Sequence, residues 1–245
     1  MKEPVKGRSE AGRAREYRAR ATRQRVVDAA IQLFVEQGYV ATTVTALAAR
    51  AGVSPATIYQ AFGTKQAVLE RALDVVIAGD DAPVPVLERA WMREASSETD
   101  PRRRLVLVVR GVTAIAARAS PLMEVLRDAA AVEPEMRSVM VERHRRRYES
   151  QEVMVKALAT GRPLRAGMTP SRAADIVFAL VGHDLYRLLV LERGWTLAAW
   201  QRWVVDNLER ELFDDAESRL RRERANREDP VRLKARAARR AGEVD

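Results

Sequence analysis

The sequence has 245 residues, of which 43 are Lys or Arg and 34 are Asp or Glu, so its formal net charge is +9. It contains no Cys and two His, which excludes disulfide scaffolds, thiolate metal sites and cysteine nucleophiles. We therefore expect neither a bound metal nor a cofactor. Hydrophobic residues make up 47% of the chain, which is enough for a folded core.

The sequence gives no sign of a membrane segment or a secretory signal. Its longest uncharged stretches, Gln37–Ala49 and Ala51–Thr64, are shorter than the roughly 18 apolar residues that a membrane helix needs. The N-terminus is basic and polar, unlike a secretory signal peptide. We expect a cytoplasmic protein that does not contact membranes.

The positive charge is concentrated at the two ends of the chain. Met1–Arg25 holds nine basic and three acidic residues, and Arg219–Arg240 holds ten basic and three acidic residues. Val26–Ser218 is close to neutral, with 24 basic and 26 acidic residues. We interpret residues 1–21 as a basic flexible arm and residues 214–245 as a charged tail.

The first half of the chain has the pattern of four helices, each with local start and stop signals. Helical spacing of apolar residues, N-cap hydroxyls and terminal glycines define them. These helices are expected over Thr22–Gly38, Val44–Ala51, Pro55–Ala61 and residues 65–78. The Gly79–Pro83 turn is the best candidate for a domain boundary, so we expect one domain over 22–79 and a second over 80–213.

The second half continues with helical patterns and shows no period-two alternation, so an all-α fold is expected. A loop with two Gly and two Pro, 161–170, interrupts it. The predicted helices are Val84–Ala95, Arg102–Arg118, Pro121–Ala130, Pro134–Ala159, Ser171–Arg193 and Thr196–Phe213.

The three short helical pieces ending near residue 61 suggest a helix-turn-helix module. Its turn is Ala51-Gly52-Val53-Ser54, and the helix that follows is short enough to place its first turn in a major groove. Small side chains there can meet base edges, and a Lys at the next helix start can meet a phosphate. The candidate DNA-binding residues are Thr43, Ser54, Pro55, Ala56, Thr57, Tyr59, Gln60 and Lys65.

These residues stand in a longer pattern that resembles the TetR family of bacterial transcriptional regulators. The pattern consists of Thr22-Arg23, Ala29-Ala30, Leu33-Phe34, Gly38-Tyr39, Thr42-Thr43-Val44, Ala48, Ala51-Gly52-Val53-Ser54, Thr57-Ile58-Tyr59, Phe62, Lys65 and Leu69. Ala56 and Gln60 depart from the family's usual residues and bear on the operator sequence. The resemblance implies an N-terminal three-helix DNA-binding domain and a C-terminal helical domain for ligand binding and dimerisation.

A small-molecule effector, largely apolar, is expected in the C-terminal domain. On the 134–159 helix and the helix after it, aromatic and polar residues recur at helical spacing, and methionines can supply apolar walls. For each of these residues core packing is the alternative. The candidates are Met123, His144, Tyr148, Gln151, Phe178, His183 and Tyr186.

Two apolar helices, 171–193 and 196–213, carry more apolar surface than one face can bury, so we expect a homodimer through them. The function expected is a ligand-responsive repressor that binds a palindromic operator in double-stranded DNA. The alternatives are an activator, a ligand-independent regulator or a non-specific DNA-packaging protein. His183-Asp184 has no catalytic third partner and no nucleophile motif, so we expect no catalytic residues and no enzyme activity.

Overall fold

The structure is a computed structural model that describes residues 10–214, and the rest of the predicted arm and tail lies outside the described residues. The all-α prediction is confirmed for this part of the chain, whose regular elements are all helical. The helices are α1 Glu10–Ala41, α2 Val44–Ala51, α3 Pro55–Phe62, α4 Lys65–Ala78, α5 Ala90–Ser97, α6 Pro101–Val132, α7 Pro134–Leu158, α8 Pro170–Leu180, α9 His183–Tyr186 and α10 Leu197–Leu212.

Helix α1 begins twelve residues before the predicted start at Thr22, which corrects the expectation of a flexible arm for residues 10–21. That segment is rich in Ala, Arg and Glu, which have high helix propensity. Its side chains are almost all exposed, so the first turns of α1 extend without packing against the core. The helix is kinked at Gly38, where φ is 79°.

The predicted caps of the first domain are confirmed. The Thr43 side chain accepts a hydrogen bond from the Ala46 N–H at 3.1 Å, and Thr64 accepts one from the Ala67 N–H at 3.0 Å. Gly52 ends α2 with φ of 64°, a left-handed conformation that favours glycine. Local capping chemistry thus sets the boundaries of α2 and α4.

Helix α6 replaces the two helices predicted on either side of Pro121. Proline lacks the N–H that would bond to Ala117, yet Leu122 and Leu126 beyond it are fully buried, so packing holds the helix together. Among residues 10–214, α6 is the one helix long and apolar enough to cross a membrane. Over half of that apolar window (56%) is buried inside the protein, as in a core helix.

The predicted helix 171–193 is interrupted, which is a further correction. Helix α8 ends at Leu180, α9 is a single turn, and Arg187–Glu192 is a π-helical segment. Gly182 lies at the break, where a Cβ would approach the Ala179 carbonyl to 3.1 Å.

The described part contains two hydrophobic cores. The first joins α1–α4 to the second half of α6 and the start of α7, and the second joins α5, the first half of α6, the end of α7, α8 and α10. The first core therefore crosses the predicted boundary at 79–83. Helices α6 and α7 belong to both cores and connect them.

Candidate nucleic-acid interface and cavity

Helix α3 presents the predicted reading residues on its outer face. Ser54, Pro55, Ala56, Tyr59 and Gln60 are exposed, and Thr57 is half-buried. Ile58 is 1% exposed and fixes the opposite face of α3 in the first core. A short helix anchored on one side and bare on the other is the arrangement that major-groove reading requires.

The first turn of α3 is ordered by two hydroxyl groups. Ser54 Oγ accepts a hydrogen bond from the Thr57 N–H at 3.2 Å, and it lies 2.9 Å from Thr57 Oγ1. The Ser54 hydroxyl is thus already engaged as an N-cap. Pro55 and Ala56 are the smallest exposed side chains beside it, so the backbone there can closely approach another surface.

Lys65, predicted as a phosphate contact, packs against Tyr39 at the start of α4. Its Nζ donates a hydrogen bond to the Tyr39 carbonyl at 2.9 Å and lies 4.0 Å from the centre of the Tyr39 ring. Burial lowers the pKa of Lys65 and raises the pKa of Tyr39 to about 12. The Tyr39 ring is 6% exposed, so it serves as core and joins α1 to α4.

Arg50 fixes α2 against α1. Its guanidinium donates to both carboxylate oxygens of Glu36, at 3.0 and 3.2 Å, and to Gln32 at 3.2 Å. This bidentate pair lowers the pKa of Glu36 and is exposed to solvent. The orientation of the helix-turn-helix therefore rests on side-chain contacts as well as on the core.

A cavity of about 250 Å³ lies between α4, α5, α6, α7 and the α8–α9 junction. Four of the seven predicted ligand residues line it, namely Met123, His144, Gln151 and His183. Much of its wall is apolar. Among the residues that form this apolar wall are Ile77, Leu87, Trp91, Val112, Ile115, Met123 and Met154.

The other three predicted ligand residues do not line the cavity. The Tyr148 and Phe178 rings pack on each other with centroids 6.0 Å apart. Tyr186 lies edge-on to Trp200 at 5.7 Å in the second core. The predicted common face of Phe178 and Tyr186, with His183 alongside, assumed one continuous helix, and the break at Gly182 interrupts that helix.

Among the charged cavity residues that were not predicted from sequence are Arg143 and Arg147. Arg143 Nη1 lies 2.6 Å from Asp74 Oδ1, and its Nη2 donates to the Glu70 carbonyl at 2.7 Å. Arg147 donates to the Phe178 carbonyl, and its guanidinium carbon lies 4.0 Å from the centre of the Phe178 ring. Both arginines were hidden in a run of charges that is typical of a solvated face.

The electrostatics of the cavity are dominated by burial. Desolvation lowers the pKa of Arg147 to about 10, so it stays cationic at neutral pH. Desolvation and the nearby Arg147 charge lower the pKa of His183 to about 4, and the same two causes lower the pKa of His144. Both imidazoles are therefore neutral at pH 7.

Helix α4 connects the cavity to the reading surface. Asp74 and Ile77 on α4 line the cavity, and Lys65 at its other end contacts α1. Two arginines from α6 and α7 hold α4: Arg143 binds Asp74, and Arg118 Nε donates to the Val76 carbonyl at 3.1 Å. Helix α4 is therefore in direct contact with the cavity at one end and with α1 at the other.

Comparison with known proteins agrees with this architecture. The family described as bacterial regulatory proteins, tetR family, matches residues 26–72. The uncharacterized HTH-type transcriptional regulator YvkB of Bacillus subtilis is 48% identical over 54 residues, which are 22% of this chain and 29% of YvkB. That match therefore spans less than a third of the relative.

Two longer matches extend beyond the first domain. The HTH-type transcriptional regulator TtgR of Pseudomonas putida is 28% identical over 200 residues, covering 78% of this chain and 91% of TtgR. The crystal structure of NalD, the secondary repressor of the MexAB-OprM multidrug efflux pump in Pseudomonas aeruginosa, superposes with a TM-score of 0.61 at 22% identity. The superposition covers 80% of this chain and 99% of NalD. Together with the helix-turn-helix geometry, these matches show that residues 26–72 are a helix-turn-helix module of the tetR family of bacterial regulatory proteins, and that the fold of the chain is similar to that of such regulators.

Proposed function

We propose that the protein is a cytoplasmic, ligand-responsive repressor that binds a palindromic operator as a homodimer. Residues 22–79 serve as the DNA-binding domain and residues 80–213 as the ligand-binding and dimerisation domain. The observation that carries the proposal is the position of α4, which lines the cavity and is fixed to α1 through Lys65.

In this account α3 reads the operator through a few small side chains. Pro55, Ala56 and Thr57 meet base edges or thymine methyl groups, and Tyr59 and Gln60 reach further along the groove. Exposed arginines on the first half of α1 supply phosphate contacts, since the helix-turn-helix itself is nearly neutral. These are Arg13, Arg15, Arg18, Arg20, Arg23 and Arg25.

The homodimer is proposed through the segments 171–193 and 196–213. They leave large apolar side chains exposed: Leu188 is 42%, Leu191 52% and Leu197 47% exposed. A second copy of the chain would bury these side chains in a two-fold interface. Such symmetry places two α3 helices on one face of a duplex, which is what a palindromic operator provides.

Ligand response follows from the geometry of the cavity. An occupant that displaces Asp74 or Ile77 moves α4 relative to α6 and α7, and the α1–α4 contacts carry the shift to α3. The ligand then favours a spacing of the two reading helices that fits the operator poorly. NalD, a structural relative named as a repressor, supports this sign of regulation.

The test is to select bound sequences from a library of random duplexes at two salt concentrations. We expect a palindromic consensus that persists at the higher salt, because base contacts depend less on salt than phosphate contacts do. A Gln60→Ala variant should change the consensus, and Gln24→Ala on α1 is the matched control. Uniform recovery of sequences would instead favour a DNA-packaging protein.

The sign of regulation needs a second readout, which is transcription from a promoter that overlaps the selected site. A repressor lowers the transcript level when the protein is added, and an activator raises it. A rise would overturn the repressor assignment and leave DNA recognition intact.

A further inference from the structure

We propose that the cavity takes an amphipathic anion, a single carboxylate or similarly small anionic group on an apolar body, with Arg147 binding the charged end. This rests on the proposed function, because it names the chemical class of the effector. Three observations support the proposal: a guanidinium that makes no ion pair, two unpartnered polar atoms and an apolar wall.

Arg147 forms no ion pair with a carboxylate among residues 10–214. Its neighbours on α7 are all paired: Arg143 with Asp74, and Arg145 and Arg146 with Glu142. Arg147 donates to the Phe178 carbonyl and lies over the Phe178 ring. The charge of Asp184 also acts on it, but that carboxylate forms its ion pair with Arg127. A buried cation without a contacting anion is costly, and a ligand carboxylate would offset that cost.

Two polar atoms near Arg147 are buried without a hydrogen-bond partner. They are Oε1 of Gln151, a residue that is 4% exposed, and Nδ1 of His183. Gln151 lies one helical turn after Arg147 and so shares its face of α7, while His183 faces them from the α8–α9 junction. Buried polar groups in folded proteins normally have hydrogen-bond partners, so two unpartnered polar atoms at one cavity indicate a polar group on the ligand.

These three side chains can together bind an anionic group. Arg147 supplies charged N–H donors, neutral His183 can donate from Nδ1, and the Gln151 amide can turn to donate its NH₂ group. The carboxylate among the described lining residues, Asp74, is already bound by Arg143. A cationic ligand would face Arg147 with no free carboxylate to receive it.

The remaining wall fits an apolar body of modest size. Trp91, Ile115 and Met123, on α5 and α6, line the cavity away from these polar groups in sequence, and Met154 lies three residues after Gln151 on α7. Methionines and an aromatic ring adapt to flat or branched hydrocarbon shapes. The volume of about 250 Å³ suits a small aromatic or short aliphatic acid.

The direct test compares three probes of nearly equal shape and different charge: phenylpropanoate, phenylpropanamide and phenylpropylamine. Binding to the full chain is measured by titration calorimetry at pH 7.5. We expect the carboxylate to bind about tenfold more tightly than the amide, because a charge-assisted hydrogen bond is stronger than a neutral one. The amine should bind most weakly.

The Arg147→Met variant should lower the affinity for phenylpropanoate about tenfold and leave that for phenylpropanamide nearly unchanged. Arg145→Met is the matched control on the same helix, since Arg145 is exposed and paired with Glu142 and Glu149, and it should bind all three probes like the original chain. If Arg147→Met fails to fold, the three-probe comparison on the unaltered chain still decides.

The proposal is overturned if no probe binds, if the amide or the amine binds as tightly as the carboxylate, or if Arg147→Met keeps the carboxylate affinity. None of these results affects DNA recognition, which is measured without any probe. A neutral compound that binds the cavity and releases operator DNA would overturn the anion assignment while supporting the repressor function.

Discussion

At the residue scale, His183 is the group most sensitive to acid in the cavity wall. Burial and the adjacent Arg147 charge lower its pKa to about 4 from an ordinary value near 6.5. The unfolded chain therefore binds this proton more readily than the folded chain. The contribution to stability is complete above about pH 6.5 and is lost as the pH falls towards 4.

We predict that His183→Gln reduces the acid sensitivity of the fold. Between pH 7 and pH 5 the original chain should lose about 1–2 kcal/mol of unfolding free energy more than the variant loses. Urea unfolding of both proteins at the two pH values measures this difference. An equal loss in both would show that His183 is not held neutral by its surroundings.

The same residues show why sequence could predict only part of the cavity. The run Arg145-Arg146-Arg147 is typical of a solvated face, and the first two arginines are indeed exposed. Successive residues of a helix turn by about 100°, so the third points to α8 and becomes buried. Which of the three arginines faces inward depends on how α7 packs against the other helices. The residues next to them in sequence do not determine that packing.

At the element scale, α5 lies very close to α6 where Gly111 faces Trp91. A Cβ on Gly111 would overlap the Trp91 ring. Because Trp91 also lines the cavity, this contact sets the position of one cavity wall. Glycine in the middle of a 32-residue helix is thus explained by packing.

We predict that Gly111→Ala destabilises the protein, although alanine favours helix by about 1 kcal/mol over glycine. Overpacking against Trp91 should cost about 1–3 kcal/mol, and the double variant with Trp91→Phe should recover part of it. Ala114→Gly, at an exposed position of α6, measures the difference in helix propensity between alanine and glycine without a packing contribution. Denaturant unfolding measures the free energy of unfolding of the original chain and of these three variants. A Gly111→Ala variant more stable than the original chain would contradict the close contact.

Helix boundaries that depend on neighbouring residues in sequence were predicted well. Boundaries that depend on distant packing were not. The caps of α2, α3 and α4 are local hydroxyl groups and glycines, so their starts were predicted correctly. The continuity of α6 through Pro121 and the break at Gly182 depend on distant packing. The early start of α1 reflects helix propensity without an apolar face, which a search for amphipathic periodicity overlooks.

At the scale of the whole molecule, the two cores meet along α6 and α7, while α4 belongs to the first core and lines the cavity. In the proposed function the ligand contacts α4 at the cavity, and Lys65 at the start of α4 ties this helix to α1. In the same proposal, because the body is near neutral, the exposed arginines of α1 supply phosphate attraction and α3 supplies base recognition. Recognition of two half-sites by two copies is central to the proposed function.

The most direct test is the affinity for two duplexes that carry the same half-sites at different helical phase. One has the selected spacing, and the other has about five base pairs, half a helical turn, inserted at the centre. We predict that the insertion weakens binding about a hundredfold, because the second α3 then faces the wrong side of the duplex, while total phosphate charge hardly changes. Equal affinity for both duplexes would contradict paired reading of a palindrome.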